Sequence, residues 1–407
     1  METHVSPHPL QIRVVETLEE LEPLRPIWEE LLASLPQASI FSSWEWLAPW
    51  WRAFGDGQRL HVVSFQNSSA RLAGIAPLSF SMLRSAGLQW KIARLMGDGS
   101  KDSDNLDLPV LPEYEEDFLH GLLQHLDGHS RQWDFCEWNT VPEDSPLAHR
   151  LPMHLKERGW TLVTTFTPCS SISLPDTWDL YLKQLSARER GNVRGLKRRL
   201  ERLYRVQYRR CSQFQDLERD LESLFELHQL RWKACGQPGS FNSPRRRRFY
   251  LDLASLLLSR KQLEFWLLEL DEKPVAAQFG FRFRSVVYAL QAGFDPAFAK
   301  DSVGYVLCAH ALQTLIGEGI RKYDFLGGVT DSKTRWGAQL GRYANFQFAR
   351  PRTAGSLYLQ GKYRIKRAKE SLRSFMPSRI WAFLHAWNVR AQGQERFSID
   401  REDRRTL

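Results

Sequence analysis

Residues 263–326 read LEFWLLELDEKPVAAQFGFRFRSVVYALQAGFDPAFAKDSVGYVLCAHALQTLIGEGIRKYDFL, and this stretch decides the fold. Three apolar runs separated by short polar turns precede one long segment with helical spacing and a final short apolar run. The predicted elements are strands at Leu263–Leu270, Val275–Phe283 and Val286–Gly293, a helix at Val303–Glu318, and a strand at Lys322–Leu326. The order β-β-β-α-β predicts a mixed α/β (α+β) domain.

The loop before this helix has the chemistry of an anion site. The first amides of a helix have no partners inside the helix, and the helix dipole adds partial positive charge at the same end. Ser302 suits the N-cap position, and Gly304 in the first turn allows a phosphate to approach the backbone. Cap and phosphate site both remain open interpretations, because a serine at this position is often only a cap.

A longer stretch resembles a known family. GFDPAFAKDSVGYVLCAHALQTLIGEGIRKYDFLGGVTDSKTRWG, residues 293–337, is similar to the acetyltransferase domain of the cellulose-biosynthesis-type (CelD-like) family. That family belongs to the GNAT superfamily of acyl-CoA-dependent acyltransferases and is related to the FemAB transferases. FSSWEWLAPWW (residues 41–51) and LAGIAPLSF (residues 72–80) resemble its N-terminal half. The resemblance implies tandem GNAT-like domains, each with a mixed, mostly antiparallel sheet flanked by helices.

The same resemblance implies residue roles. Acetyl-CoA or another acyl-CoA is expected as co-substrate, with its pyrophosphate at Ser302, Val303, Gly304 and Tyr305. Many relatives carry proline where this chain has Val303, although the backbone amides remain available.

The acceptor side is expected to involve five further side chains. Asp324, Lys333 and Tyr288 are the predicted catalytic residues, and Gln278 and Trp336 are predicted to bind the acceptor. For Asp324 the structural alternative is an ion pair with Lys333 or Arg335. No carboxylate lies on the strand Val286–Gly293, so the sequence does not identify the general base that would take a proton from the acceptor.

The rest of the chain suggests a second, similar half. The first 175 residues alternate strand and helix signals around the polar loop Gly97–Asp107, and a crossover follows near residue 170. We therefore expect an N-terminal GNAT-like domain at 1–175, an acyl-CoA-binding GNAT domain at 176–352, and a basic helical tail at 353–407.

Composition narrows the class of protein. The chain has 407 residues, 43% of them apolar, and a formal net charge of +9. Its five scattered cysteines form no CxxC pair, so neither a disulfide framework nor a metal site is expected. The sequence has no leader-like h-region and no apolar run of about 18 residues, which predicts a cytoplasmic protein.

Two segments are strongly basic. Residues 186–210 contain ten arginines and lysines against two glutamates, which is compatible with RNA binding or with a solvated face lying against the acidic residues of Asp216–Glu226. The segment Tyr358–Arg390 interleaves basic and aromatic residues, as interfacial helices do, although a packed terminal helix has the same pattern. We expect peripheral contact with an anionic membrane, at the inner face, and no nucleic-acid partner.

The resulting hypothesis is an acyl-CoA-dependent N- or O-acyltransferase. Its acceptor is expected to be a small molecule or glycan precursor: a sugar, an amine or a cell-envelope or exopolysaccharide precursor, the last from the family resemblance alone. Two alternatives stay open. One is a FemAB-like transferase that uses aminoacyl-tRNA, and the other is a non-catalytic binding protein on a GNAT fold.

Overall fold

A computed structural model describes residues 10–85 and 87–375, and all its strands form one twelve-stranded sheet. The strands are β1 Gln11–Val15, β2 Arg59–Gln66, β3 Leu72–Ser85, β4 Leu88–Leu95, β5 Phe135–Pro142, β6 Thr161–Ser173, β7 Val206–Arg210, β8 Leu263–Leu270, β9 Lys273–Phe283, β10 Val286–Phe294, β11 Lys322–Gly327 and β12 Gln339–Ala349. Nine strand pairs are antiparallel, and only β4–β5 and β10–β11 are parallel in the described part of the chain.

Helices flank this sheet. They are α1 Leu18–Leu21, α2 Arg25–Ala33, α3 Trp44–Phe54, α4 Glu115–Gly128, α5 Pro146–Glu157, α6 Trp178–Gln184, α7 Ala187–Leu203, α8 Phe214–Ala234, α9 Pro244–Ser259, α10 Val303–Gly317, α11 Asp331–Thr334 and α12 Ala354–Phe375. The prediction of a mixed, mostly antiparallel sheet flanked by helices is confirmed.

The sheet repeats one pattern from its two edges inward. Its order is β1-β2-β3-β4-β5-β12-β6-β11-β10-β9-β8-β7, so five strands of each half run from an edge toward the centre. In both halves a helix connects the fourth strand to the fifth, as a parallel pair requires. The two halves are therefore built alike around a shared middle.

The middle of the sheet joins the halves. β12 lies between β5 and β6, so a strand near the end of the chain completes the sheet beside the first half. β6 in turn pairs with β11, where Ser171 lies opposite Asp324. The sheet is thus continuous across residue 175, and the domain boundaries remain a prediction.

The core is also shared. Aromatic side chains of α3 and the turn before it pack on the second half: Phe41 lies 5.6 Å from Phe281, and Trp46 lies 5.4 Å from Phe249, between ring centroids. Trp46 is fully buried, and a buried aromatic removes roughly 150–250 Å² from water. Trp46 thus contributes to the packing that holds the halves together.

The start of the tail is packed and its continuation is exposed. Tyr358 stacks near Trp90 and Phe135, and Leu359 is buried. Residues 362–368 are all exposed. The predicted helical tail is therefore present as α12 up to Phe375, and its remainder lies outside the described residues. None of the described helices is long and apolar enough to span a bilayer.

Candidate functional site

A cleft opens where β10 and β11 separate. The two strands pair at only three positions, from Val286–Lys322 to Tyr288–Asp324. Beyond this point β10 shifts register against β9, and its residues Ala289–Phe294 line a cavity of about 570 Å³ opposite Phe325–Gly327. Separated strands offer unpaired backbone donors and acceptors, which suit an extended ligand lying between them. We call this cavity the β10–β11 cleft.

The N-terminus of α10 faces this cleft. Ser302 stands at the N-cap position in a left-handed conformation (φ 54°, ψ 40°), and its hydroxyl makes no capping hydrogen bond. Ser302 thus occupies the expected N-cap position, but the expected hydrogen bond from its side chain is absent. The positive φ removes the side chain from the usual capping geometry. Its carbonyl instead accepts hydrogen bonds from the amides of Tyr305 (2.9 Å) and Val306 (3.1 Å).

Gly304 leaves the first turn of α10 open. A Cβ atom at this position would meet only Phe294, at 3.7 Å. The amides that precede Tyr305 belong to the first turn, where no intrahelical acceptor exists. Ser302, Val303, Gly304 and Tyr305 all line the β10–β11 cleft, so the predicted anion site opens into it.

Two stacked aromatic rings form part of the cleft wall. The ring centroids of Tyr305 and Trp336 lie 4.3 Å apart with an interplanar angle of 19°. The Tyr305 hydroxyl donates to Glu189 of α7 (2.8 Å), and the Tyr181 hydroxyl donates to the Trp336 carbonyl (2.8 Å). The predicted acceptor residue Trp336 is thus held by α6 and α10 at the cleft.

Two polar side chains of neighbouring strands at the cleft form a hydrogen bond with each other. The Gln278 amide donates to the Tyr323 hydroxyl, and Tyr323 is buried. Cys308 of α10 also lines the cleft, and burial raises the pKa of its thiol to about 12. A thiol with that pKa stays protonated at neutral pH, so Cys308 is a poor nucleophile.

Lys333 lines the cleft with its ammonium group saturated. Its Nζ donates to the carbonyls of Phe325 (2.8 Å), Gly327 (2.8 Å) and Gly328 (2.9 Å). An ammonium has three donors, so all of them serve the turn that follows β11. Burial is the largest influence on Lys333 and lowers its pKa. Its catalytic role remains a prediction, and the geometry shows a positioning contact.

Asp324 lies behind the cleft wall. Its Oδ1 accepts the amide of Leu326 (2.8 Å), which itself has a positive φ of 61°, and its Oδ2 lies 3.3 Å from Lys322 Nζ. The structural alternative named Lys333 or Arg335 as ion-pair partner, and the pair in the structure is instead with Lys322. Asp324 therefore stabilises a strained turn at the edge of the cleft.

Tyr288 is a core residue in this structure. Its ring packs at 5.7 Å from Phe41 and 5.5 Å from Phe281, and it is buried. Burial, together with the Asp324 charge, raises the pKa of its hydroxyl. Seven of the nine predicted site residues line the cleft, and Tyr288 and Asp324 do not. Their catalytic roles remain predictions.

The sequence interpretation missed a loop of the first half, called the acidic loop below, that reaches the cleft with two aspartates and one lysine. The loop Gly97–Asp107, predicted only as a polar loop, brings Lys101, Asp102 and Asp104 to the β10–β11 cleft. Asp104 accepts the amide of Gly327 at 2.8 Å. The sequence signal was the density of aspartates among glycines and serines, but nothing in it indicated a contact more than 200 residues away.

The acidic loop is locked by hydrogen bonds and one ion pair. Asp102 lies 3.1 Å from Arg246 and accepts a 3.0 Å hydrogen bond from the Tyr250 hydroxyl. The indoles of Trp46 and Trp50 donate to Ser103 and Ser100. Because α3 and α9 hold it from both sides, the loop is a built part of the cleft rather than a free surface loop.

The basic segment 186–210 meets the acidic residues of α8 at one point, which agrees in part with one of the two alternatives left open for it. Arg209 of this segment pairs with Asp220, whereas Asp216 pairs with Arg219 and Glu222 with Arg247. The α7 arginines 188, 194, 198 and 202 remain exposed. In the described part of the chain no group of three or more histidine, cysteine, aspartate or glutamate side chains is placed to hold a metal ion.

Comparison with known proteins adds a domain assignment. Residues 187–334 match the family model described as "Acetyltransferase (GNAT) domain". The match spans α7 to α11 and contains the residues that line the β10–β11 cleft, apart from the acidic loop, Arg335 and Trp336. No curated protein matches the chain.

Solved structures are similar to this chain at low identity, and the two with TM-scores above 0.5 share its fold. The structure titled "Crystal structure of FemX" is 12% identical, with a TM-score of 0.57 over 79% of this chain and 95% of that chain. A conserved protein of unknown function from Bacteroides thetaiotaomicron is also 12% identical, with a TM-score of 0.52 over 84% and 100%. A tandem GNAT protein from the clavulanic acid biosynthesis pathway is 11% identical, with a TM-score of 0.45 over 83% and 98%.

Proposed function

We propose that this chain, a GNAT-type acyltransferase, takes its acyl group from acyl-CoA bound in the β10–β11 cleft. The observation that carries the proposal is the separation of β10 from β11 beside the open first turn of α10. The free strand edges can hydrogen-bond the extended pantetheine arm, and the first amides of α10 can bind the pyrophosphate. Acyl-CoA supplies a thioester carbonyl activated toward an incoming nucleophile.

The residues present fit such a ligand. A side chain at position 304 would occupy the space in front of the α10 amides, and this chain has glycine there. The cavity volume lies within the range of roughly 300–1,000 Å³ that small-molecule sites have. Tyr305 and Trp336 add an apolar wall for the ligand's uncharged arm.

The first half has a similar strand pair but no helix N-terminus that suits a phosphate. β4 and β5 also pair at only three positions, and α4 follows β4 as α10 follows β10. However, the first turn of α4 carries Glu115, Glu116 and Asp117, which repel a phosphate. We infer that one acyl-CoA binds per chain, in the second half.

The acceptor and setting are proposed from the family resemblance. We keep a sugar, an amine or an exopolysaccharide or other cell-envelope precursor as acceptor, and the narrower CelD-like assignment as part of the same proposal. The acidic loop also lines the cleft, and the bounded cavity of about 570 Å³ favours a small acceptor. Five free cysteines support action in the reducing cytoplasm.

A transfer from aminoacyl-tRNA is the competing candidate, and the exposed arginines of α7 favour it. Isothermal titration with acetyl-CoA, beside filter binding of tRNA at physiological salt, separates the two. We expect acetyl-CoA to bind at one site per chain and tRNA to bind only at low salt. Absence of heat with acetyl-CoA and salt-resistant tRNA binding would reverse the assignment.

A further inference from the structure

The loop between β4 and α4 crosses from the first half to the second half's cleft. Its counterpart between β10 and α10 stays beside its own helix, whereas this loop places Asp102 and Asp104 in the β10–β11 cleft. The side chain of Asn105 donates to the Tyr343 hydroxyl of β12 (2.9 Å), and the amide of Leu106 donates to the Thr140 carbonyl (3.1 Å). The loop is therefore anchored at the sheet centre immediately after Asp104.

Asp104 lies directly against the end of β11. Its Oδ2 accepts the Gly327 amide at 2.8 Å. A Cβ atom at position 327 would lie 3.2 and 3.4 Å from the two carboxylate oxygens, so glycine permits this close approach. One oxygen is thus fixed by the backbone, and the half-buried side chain lines the cleft.

The charge of Asp104 is not neutralised by a paired cation. Among residues 10–85 and 87–375 no lysine or arginine forms an ion pair with it. Lys333 is near enough to act on it electrostatically, but all three of its donors bind backbone carbonyls. Asp102, by contrast, has Arg246 and Tyr250 as partners. Asp104 is therefore the cleft aspartate left to meet a ligand.

We propose that Asp104, supplied by the first half, is a catalytic residue of the second half's reaction: it binds the ammonium group of an amine acceptor and takes a proton from it. A half-buried carboxylate without a counter-ion favours a cationic ligand over a neutral hydroxyl. This inference rests on the proposed function, and it narrows the acceptor to an amine.

The transfer balances with these groups. The acceptor ammonium gives one proton to the Asp104 carboxylate, and the freed nitrogen lone pair forms a C–N bond with the thioester carbonyl carbon. The C–S bond breaks, and a second proton from the nitrogen ends on the departing sulfur. The products are an amide, the CoA thiol and a protonated Asp104, which returns its proton to solvent.

The surroundings of Asp104 suit a proton acceptor. Burial raises its pKa above the ordinary value, and Asp324 and Asp102 raise it further, whereas the Gly327 amide and Lys333 lower it. Cys169 of β6 and Tyr343 of β12 are the other titratable groups that interact with it. A carboxylate with a raised pKa is a stronger base than a free aspartate.

The test measures CoA thiol released from acetyl-CoA in the presence of paired acceptors, glucosamine with glucose and putrescine with butane-1,4-diol. We expect transfer to an amine and not to its hydroxyl partner. Asp104→Asn retains an oxygen for the Gly327 amide and should fold. It should lower kcat/KM for the amine by roughly 10²-fold or more, leave acetyl-CoA affinity unchanged, and abolish the acid limb of the pH profile.

Asp107→Asn is the matched control, because Asp107 belongs to the same loop and lies outside the cleft. Its activity per folded molecule should equal that of the wild type. Wild-type turnover in Asp104→Asn, preference for the hydroxyl partners, or no transfer to either amine while acetyl-CoA binds would overturn the inference alone. Failure of acetyl-CoA to bind the wild type would instead overturn the proposed function and the inference with it.

Discussion

The indole of Trp336 lies almost parallel to the Tyr305 ring, with centroids 4.3 Å apart, and is only 3% exposed. Removing it should leave a cavity beside the cleft. Trp336→Ala is expected to lower the free energy of unfolding by about 3–5 kcal/mol. Trp232 also lines the cleft but is 38% exposed, so Trp232→Ala should cost less than about 2 kcal/mol. Urea denaturation compares the two, and equal losses would contradict a buried stack.

Gly304 should control access to the α10 amides. Gly304→Trp is expected to weaken acetyl-CoA binding by at least about tenfold, because the indole occupies the proposed pyrophosphate position. Gly317→Trp is the control: position 317 ends the same helix, and a Cβ atom there would meet nothing within 4 Å. Isothermal titration measures both variants, and unchanged affinity in folded Gly304→Trp would remove the pyrophosphate from this site.

If Asp104 is the proton acceptor and Asp324 has a structural role, Asp324 should influence the reaction only through the pKa of Asp104. Asp324→Asn still offers an oxygen to the Leu326 amide but loses the negative charge that raises the pKa of Asp104. The acid limb of kcat/KM should therefore move to lower pH, with less than about tenfold loss at neutral pH. A loss of roughly 10²-fold at every pH would show instead that Asp324 contacts the acceptor directly.

Buried aspartates of the acidic loop should make stability depend on pH. Burial raises the pKa of Asp107 to about 7, whereas an unfolded aspartate has a pKa of about 3.9. Between these values the folded state binds more protons, so this group's contribution to stability falls as pH rises. At pH 8 the melting temperature of Asp107→Asn should exceed that of the wild type by a few degrees, whereas at pH 5 the two should be nearly equal. The same shift in the exposed control Asp179→Asn would argue against this origin.

We propose that the exposed part of α12 contacts an anionic membrane. Lys362, Arg364, Lys366 and Arg367 are exposed there, and Ile365 is 59% exposed beside them. Each basic residue near such a surface contributes about 1 kcal/mol, so replacing all four with glutamine should weaken binding to anionic vesicles by at least about tenfold at low salt.

Co-sedimentation with anionic and neutral vesicles measures this binding. A chain that ends at Gly361 is the companion variant, because it keeps the packed residues Tyr358 and Leu359. Equal sedimentation of the full chain, the glutamine variant and the shortened chain would exclude a membrane role for this segment.

Local patterns were sufficient to predict the elements around the cleft. The predicted strands and helix between Leu263 and Leu326 agree with β8, β9, β10, α10 and β11 to within a few residues. Pro26 lies in the first turn of α2, because proline lacks the amide that later turns need. Periodicity and backbone chemistry act over a few residues, so one sequence carries them.

Side-chain partners were less predictable than elements. The sequence did not indicate that the donors of Lys333 bind three carbonyls of the turn after β11, and its role on the acceptor side stays a prediction. Asp324 was expected to pair with Lys333 or Arg335, and it pairs with Lys322. Each outcome depends on a turn geometry, including the positive φ of Leu326, that composition does not reveal.

The sequence by itself determined the β-β-β-α-β unit and the glycine at the start of its helix, since both follow from periodicity and from residue-specific backbone freedom. Only the tertiary structure decided which residues share the cleft. Asp104 and Gly327 meet because β12 and β6 join the two halves into one sheet, and the acidic loop then crosses that junction. Contacts between segments more than 200 residues apart depend on the packing of the whole sheet, and no local spacing encodes them.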